Sequence, residues 1–178
     1  MTTKLTYASL PTEIKKIAND SLGAGFLRSL FQEDETYHLM IKISDGAFIG
    51  FSLYHYEERG EGEGKRITGV IDCVCVSTPY RKEGFGTLLT FGTLRKMSVA
   101  GAHRVEITLK SPTSHEDEPG VPLVGNGEIL EALGFHFVKT FHGYYEIPSK
   151  KFDFECRFCG KKPDTCRADL YSIDHRSV

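Results

Sequence analysis

Apolar and polar residues change period several times along this chain, and each change marks an expected element. Between Pro11 and about Phe31, Ile14, Ile17, Leu27 and Leu30 supply apolar positions at helical spacing, and Gly23-Ala24-Gly25 interrupts them. The stretch reads as one helix or two short ones. Tyr37 to Ile43 and Ala47 to Tyr56 turn to strand-like content on either side of Ser44-Asp45-Gly46, which predicts an antiparallel pair. Glu57 to Lys65 is polar, with Gly60, Gly62 and Gly64 at a flexible tip. Residues 67–76 are β-branched and apolar enough for a buried strand. From Thr87 to Ala100, Leu88, Leu89, Leu94 and Met97 predict a helix that Gly101 ends. His103 to Leu109 alternates Val105, Ile107 and Leu109, a further strand, before a long polar loop from Ser111 to Gly125. A short helix from Glu128 stops at Gly134-Phe135, and strand-like runs follow through Tyr145 and Ile147.

The turn between the 67–76 strand and the next helix carries candidate chemistry. It reads Arg81-Lys82-Glu83-Gly84-Phe85-Gly86, an Arg-x-x-Gly-x-Gly pattern. The first amides of a helix have no partner within it and carry partial positive charge. Glycines there let an anion approach without a Cβ in the way. An ordinary turn with a solvated arginine satisfies the same three residues. Two other phosphate motifs are absent: there is no G-x-x-x-x-G-K-[ST], and no G-x-G-x-x-G follows a strand. The glycines at 60, 62 and 64 are interleaved with glutamates that would repel phosphate.

Length and composition narrow the class. A chain of 178 residues and 19.9 kDa suits one domain with a core and a small appendage. Hydrophobic content of 40% and charged content of 26% are those of a soluble globular protein. No run of about eighteen apolar residues suggests a membrane span, and Met1 to Tyr7 lacks the apolar core of a signal peptide. The expected location is therefore cytoplasmic. Net charge is −2, with 15 basic and 19 acidic residues in 1–149 against 7 and 5 in 150–178. Neither part forms a strong polyanion-binding surface. Acidic clusters at 33–35, 57–58 and 116–118 suit a cationic amine, or are simply solvated loops. Cys73 and Cys75 alternate along the central strand and read as one buried face.

The residues after Lys150 change character. Cys156-x-x-Cys159-Gly160 forms a knuckle-like turn, and with Cys166 and His175 it offers four ligands, the number a tetrahedral structural zinc site takes. The expected division is a domain over 1–149 and a Cys/His-rich tail over 150–178, folded by Zn(2+). Redox-active or unpaired cysteines are the other reading. The tail also resembles the opening of HNH endonucleases through Cys156 to Gly160 and Asp174-His175, which implies a binding knuckle. The later residues of a nuclease centre do not follow.

The succession of elements about the Arg-x-x-Gly-x-Gly turn resembles the GNAT superfamily of acyl-CoA-dependent N-acyltransferases. Val76, Arg81, Gly84, Gly86 and the Leu133-Gly134-Phe135 helix end carry the likeness, over roughly residues 5 to 148. It implies an α+β fold, with a twisted mixed sheet flanked by helices, and acetyl-CoA as co-substrate. The pantetheine would lie against the main chain near Val74 and Val76. The pyrophosphate would meet the amides of Arg81, Lys82, Glu83, Gly84, Phe85, Gly86 and Thr87, with Asn126 near the later helix. A primary amine, on a lysine, a protein N-terminus or a small molecule, would attack the thioester directly. Asp72 is the first candidate base, on the same strand face as Val74 and Val76, and Glu106 the second. The family's usual acid, a tyrosine five residues before the Gly-Phe phenylalanine, is replaced here by Leu130. Tyr144 or Tyr145 could substitute. The alternative is a non-catalytic GNAT scaffold that binds a protein or nucleic acid through its knuckle.

Overall fold

The computed structural model describes residues 5–31, 35–60, 64–110, 127–144 and 167–174. Six strands form one sheet: β1 (His38–Ser44), β2 (Ala47–Arg59), β3 (Arg66–Val76), β4 (Arg104–Lys110), β5 (His136–His142) and β6 (Arg167–Asp174). Their order is β1-β2-β3-β4-β6-β5. Every neighbouring pair is antiparallel except β3 and β4, which are parallel because helix α3 (Phe85–Val99) crosses between them. The other helices are α1 (Thr12–Leu22), α2 (Phe26–Leu30) and α4 (Gly127–Ala132). This is the mixed α+β architecture that the family resemblance implies.

Strand alternation gives the sheet two apolar faces, and each buries a different pair of helices. On one face, Ile14, Ile17 and Ala18 of α1 and Phe26 and Leu27 of α2 pack with Phe51, Leu53, Cys73, Cys75 and Ala168. On the other, Leu94 and Met97 of α3 and Leu130 of α4 pack with Tyr54, Ile71, Val105 and Ile107. Cys73 and Cys75 therefore share a buried face as expected, and both are free thiols. The glycine break at 23–25 separates α1 from α2, with Gly23 and Gly25 at positive φ.

Helix α4 ends through a Schellman arrangement. Phe135 N–H donates to Leu130 C=O at 3.0 Å and Gly134 N–H to Glu131 C=O at 2.9 Å, with Gly134 at φ 92°. Phe135 and Leu130 then share the α3/α4 core. The Leu-Gly-Phe signature is thus a helix stop and a core contact together.

Two differences from the sequence reading matter for the site. Strand β2 runs on to Arg59, so Glu57 and Arg59 belong to a paired strand rather than to a solvated loop. Strand β6, on the tail side of the expected 149/150 boundary, lies within the sheet and pairs with both β4 and β5. Periodicity could not show this, because Arg167–Asp174 is short and follows a Cys- and Lys-rich segment. Ala168 and Ser172 are fully buried in it. Among the described residues, no helix is long and apolar enough to cross a membrane.

Close approach of β2 to β3 rests on Gly50, paired with Val76. A Cβ there would overlap the Cys75 carbonyl and lie 3.1 Å from Val76 Cα, and backbone atoms cannot turn aside. Gly50→Ala should therefore lower unfolding stability by about 2 kcal/mol, measured by urea denaturation. A variant with an unchanged midpoint would show that the strands can separate at no cost.

Candidate functional site

The site begins where two strands part. The parallel register of β3 and β4 runs through Thr68↔Arg104, Gly69↔Val105, Val70↔Glu106 and Ile71↔Ile107, and then stops. Both strands continue, β3 to Val76 held by β2 and β4 to Lys110 held by β6. Past Ile71 and Ile107 the sheet therefore opens into a fork whose inner edges are not paired to each other. Ser77 N–H donates to Ile49 C=O at 2.8 Å on the β2 side. By the two-residue alternation of a strand, the main-chain groups of Val74 and Val76 turn into the fork. Those are the two residues expected to line an extended ligand arm.

At the mouth of the fork, Thr78–Tyr80 form a 3-10 turn that leads to α3. Leu88 N–H to Gly84 C=O, 3.0 Å, is the first bond of the α3 ladder, so the amides of Phe85, Gly86 and Thr87 precede it. Lys82 and Gly84 both adopt positive φ, 67° and 82°, which bends the chain sharply into the helix start. A Cβ added at Gly86 would meet only Val76 Cγ2, at 3.9 Å. Packing within the protein does not explain that glycine. The open space at a helix N-terminus suits an anion seated on the backbone.

Arg81 plays a different part from its neighbours. Its Nε donates to Val76 C=O at 3.0 Å and its guanidinium to Ser21 Oγ at 3.0 Å, so the side chain fastens the turn to β3 and to the end of α1. Its amide donates to Thr78 C=O at 3.3 Å and is committed inside the turn. The anion-facing amides thus begin after Arg81, among Lys82, Glu83, Gly84, Phe85, Gly86 and Thr87.

Asp72 sits at the apex of the fork, but not on the expected face. Leu53 pairs with Cys73 and Tyr54 with Ile71, leaving Asp72 as the extra residue of a bulge. A bulge breaks the alternation and re-aims a side chain. Asp72 therefore joins Cys73 on the α1/α2 side, while Val74 packs with the α3/α4 core. There its Oδ2 lies 2.9 Å from His55 Nδ1, and His55 Nε2 lies 3.2 Å from Glu57 Oε1. His55 is only 6% exposed, with the Tyr37 ring at 5.4 Å. Burial alone would lower the His55 pKa, but the hydrogen bonds and charges of Asp72 and Glu57, with Glu35 nearby, raise it to about 9. Burial likewise opposes ionisation of Glu57, yet Arg59 and His55 hold its carboxyl below the usual range. His38 feels the converse: burial and then the His55 charge lower its pKa.

The polar contacts continue across the sheet. Arg59 donates to Glu57 at 2.6 Å and reaches over β3 to Glu106 at 2.8 Å. Glu106 also meets Arg104 Nε at 3.1 Å, and Arg104 donates to Ser172 Oγ at 2.8 Å. Both carboxylate oxygens of Glu106 are thus engaged by arginines, and at 8% exposure it serves as a structural counter-ion. That arrangement disfavours it as a base, which needs a lone pair available for an incoming proton. His55 and Arg59 escaped the sequence reading, and Glu57 entered it only as part of an acidic cluster. Their signal was three polar residues at i, i+2 and i+4, one strand face with alternating charge.

Leu130, where a tyrosine would stand, is 4% exposed and wholly part of the core. Tyr144 follows β5, is 39% exposed and lies 5.4 Å from the Phe141 ring. Asn126, Tyr145, Cys156, Cys159, Cys166 and His175 lie outside the described residues. Among the described residues, no group of three His, Cys, Asp or Glu could hold a metal ion. The Cys73 thiol is pushed upward by its hydrogen bond to Cys75 and by burial, which disfavours the thiolate that a ligand or nucleophile needs.

Comparison with known proteins agrees with this arrangement. No curated protein matches the chain by sequence. Among solved structures, the Bacillus subtilis acetyltransferase in complex with CoA aligns with a TM-score of 0.64 at 13% identity, covering 94% of this chain and 95% of that one. The Escherichia coli N-acetyltransferase of a ribosomal-protein alanine aligns at 0.62 and 13%, covering 99% and 94%. Arabidopsis thaliana NAA60 in complex with a bisubstrate analogue aligns at 0.61 and 14%, covering 97% and 95%. At such identities the likeness is one of fold. Residues 9–116, well over half of the chain and including the fork and the turn, match the pattern of the acetyltransferase (GNAT) family. The chain belongs to the acetyltransferase (GNAT) family.

Proposed function

We propose that this protein is an N-acetyltransferase that moves the acetyl group of acetyl-CoA to a primary amine by direct attack. The observation that carries this reading is the fork, open from Ile71 and Ile107, with the unfilled space at Gly86 at its mouth. Val74 and Val76 would pair with the pantetheine arm, and the amides after Arg81 would receive the pyrophosphate. The acceptor nitrogen attacks the thioester carbonyl, and a main-chain N–H on the fork side of β3 stabilises the oxyanion. The carbon–sulfur bond then breaks, and CoA leaves as thiolate to be protonated. The proton released by the amine passes to Asp72 and on to solvent. Structural relatives that act on a ribosomal-protein alanine, or that bind a bisubstrate analogue, favour a peptide or protein N-terminus as the amine.

Two measurements test this. Acetyl-CoA should raise the melting temperature progressively with concentration, the stabilisation reaching about 2.7 kcal/mol at a hundred times Kd. No shift at millimolar ligand would sink the reading. Gly86→Ala should leave the free protein as stable as before or slightly more so, since alanine favours the helix. The same methyl should weaken acetyl-CoA binding at least tenfold, and equal affinity in both proteins would remove Gly86 from the site.

Asp72→Asn should abolish the rise of kcat with pH that a carboxylate base produces as it ionises. Thiol release followed across pH, with amine-terminated peptides and small amines as acceptors, reads this directly. A variant with the rate and profile of the wild type would exclude Asp72.

A further inference from the structure

The buried His55 has no part in the mechanism above, although it contacts the residue at the centre of it. Both of its ring nitrogens face carboxylates, Asp72 of β3 at 2.9 Å and Glu57 of its own strand β2 at 3.2 Å. An imidazole placed this way can satisfy both only as the doubly protonated cation, which donates from each nitrogen. Glu57 is in turn fixed by Arg59, and Arg59 by Glu106 of β4. The chain of contacts thus runs from the fork apex on β3, through β2, and back over β3 to the last turnings of the β4 pairing.

We propose that His55 is the positioning residue of the acyl-transfer centre: an imidazolium held between Asp72 and Glu57 that pairs with the Asp72 carboxylate and orients it at the fork apex. The inference rests on the acetyltransferase reading for its catalytic meaning, but the clamp itself is a property of the folded chain. Asp72 alternates from Ile71, which packs in the α3/α4 core, and the bulge then sets Cys73 on the same side as Asp72. The clamp also explains why a charged aspartate is tolerated in a strand this enclosed, where an unpaired carboxylate would be costly.

Among the described residues, Asp72 faces His55 from β3, Glu57 from its own strand, Tyr37 and Glu35 from the segment before β1, and the His38 charge would oppose it from β1. The carboxylates outweigh the opposing terms, so the imidazolium persists up to about pH 9. Above that the clamp loosens. Because this pKa is raised relative to the unfolded chain, the associated stability is complete below about 6.5 and disappears as pH climbs through about 9.

NMR titration of the histidine ring signals tests the clamp without any catalysis. In the wild type one histidine should titrate near pH 9, and in Asp72→Asn the same signal should move down toward about 6.5. A wild type in which no histidine titrates above about 7.5 would overturn the proposal. Kinetics test the positioning role. His55→Gln should lower kcat on the order of 10- to 100-fold with the KM for acetyl-CoA unchanged. It should also move the acid limb of kcat upward, because Asp72 loses its cation, and erase any fall of rate near pH 9. A Gln variant with the wild-type pH profile, or one whose only defect is a raised KM for acetyl-CoA, would overturn it. A wild type that fails to bind acetyl-CoA would instead sink the enzymatic reading, and the titration would still decide whether the clamp exists.

Discussion

Everything in the site follows from one constraint on the sheet: β3 and β4 are each held more firmly by their outer neighbours than by each other. Up to Ile71 and Ile107 a strand can serve both sides. At Asp72 the bulge adds a residue against β2, sharpens the local twist and carries β3 away from β4. The ladder to β2 resumes at once through Cys73 and runs to Val76, so nothing draws β3 back. A gap in a sheet normally leaves main-chain groups unsatisfied and would be selected against. Here it leaves an unpaired inner edge on β3, of the kind to which an extended ligand can hydrogen-bond.

The same irregularity decides which chemistry was legible from sequence. Regular elements announced themselves because their spacing is a direct record of burial: the broken helix about Gly23 to Gly25, the hairpin at Asp45-Gly46, the apolar run into Val76, and the Gly134 stop. Val74 and Val76 came from the family resemblance rather than from spacing, and they lie beyond the bulge where alternation is intact. Counting by twos puts Asp72 on the face of Val74, whereas it lies on the side of His55, because such counting cannot register an inserted residue. His55 was invisible for a related reason. Its meaning depends on a partner seventeen positions away, brought opposite by a register that only pairing reveals.

Arg81 shows a further limit of motif reading. Arginine in a phosphate-binding pattern suggests a cation for the anion, yet here the guanidinium is spent on Val76 C=O and Ser21. Its contribution is mechanical, setting the distance between the end of the fork and the start of α3. The charge that would greet an anion comes from the helix terminus and its bare amides. The conspicuous residue of the motif supports the inconspicuous ones.

Strand β6 has a bearing on how the chain reaches this shape. It lies between β4 and β5, although both precede it in sequence. During synthesis from the N-terminus, β1 to β4 can pair as they emerge, but β5 has no partner until residues 167–174 leave the ribosome. The nascent domain must therefore wait with its half of the fork already formed and the outer edge of β4 bare. Such an edge invites pairing with another chain, so chaperone capture or slow local translation at this stage would favour a properly closed sheet.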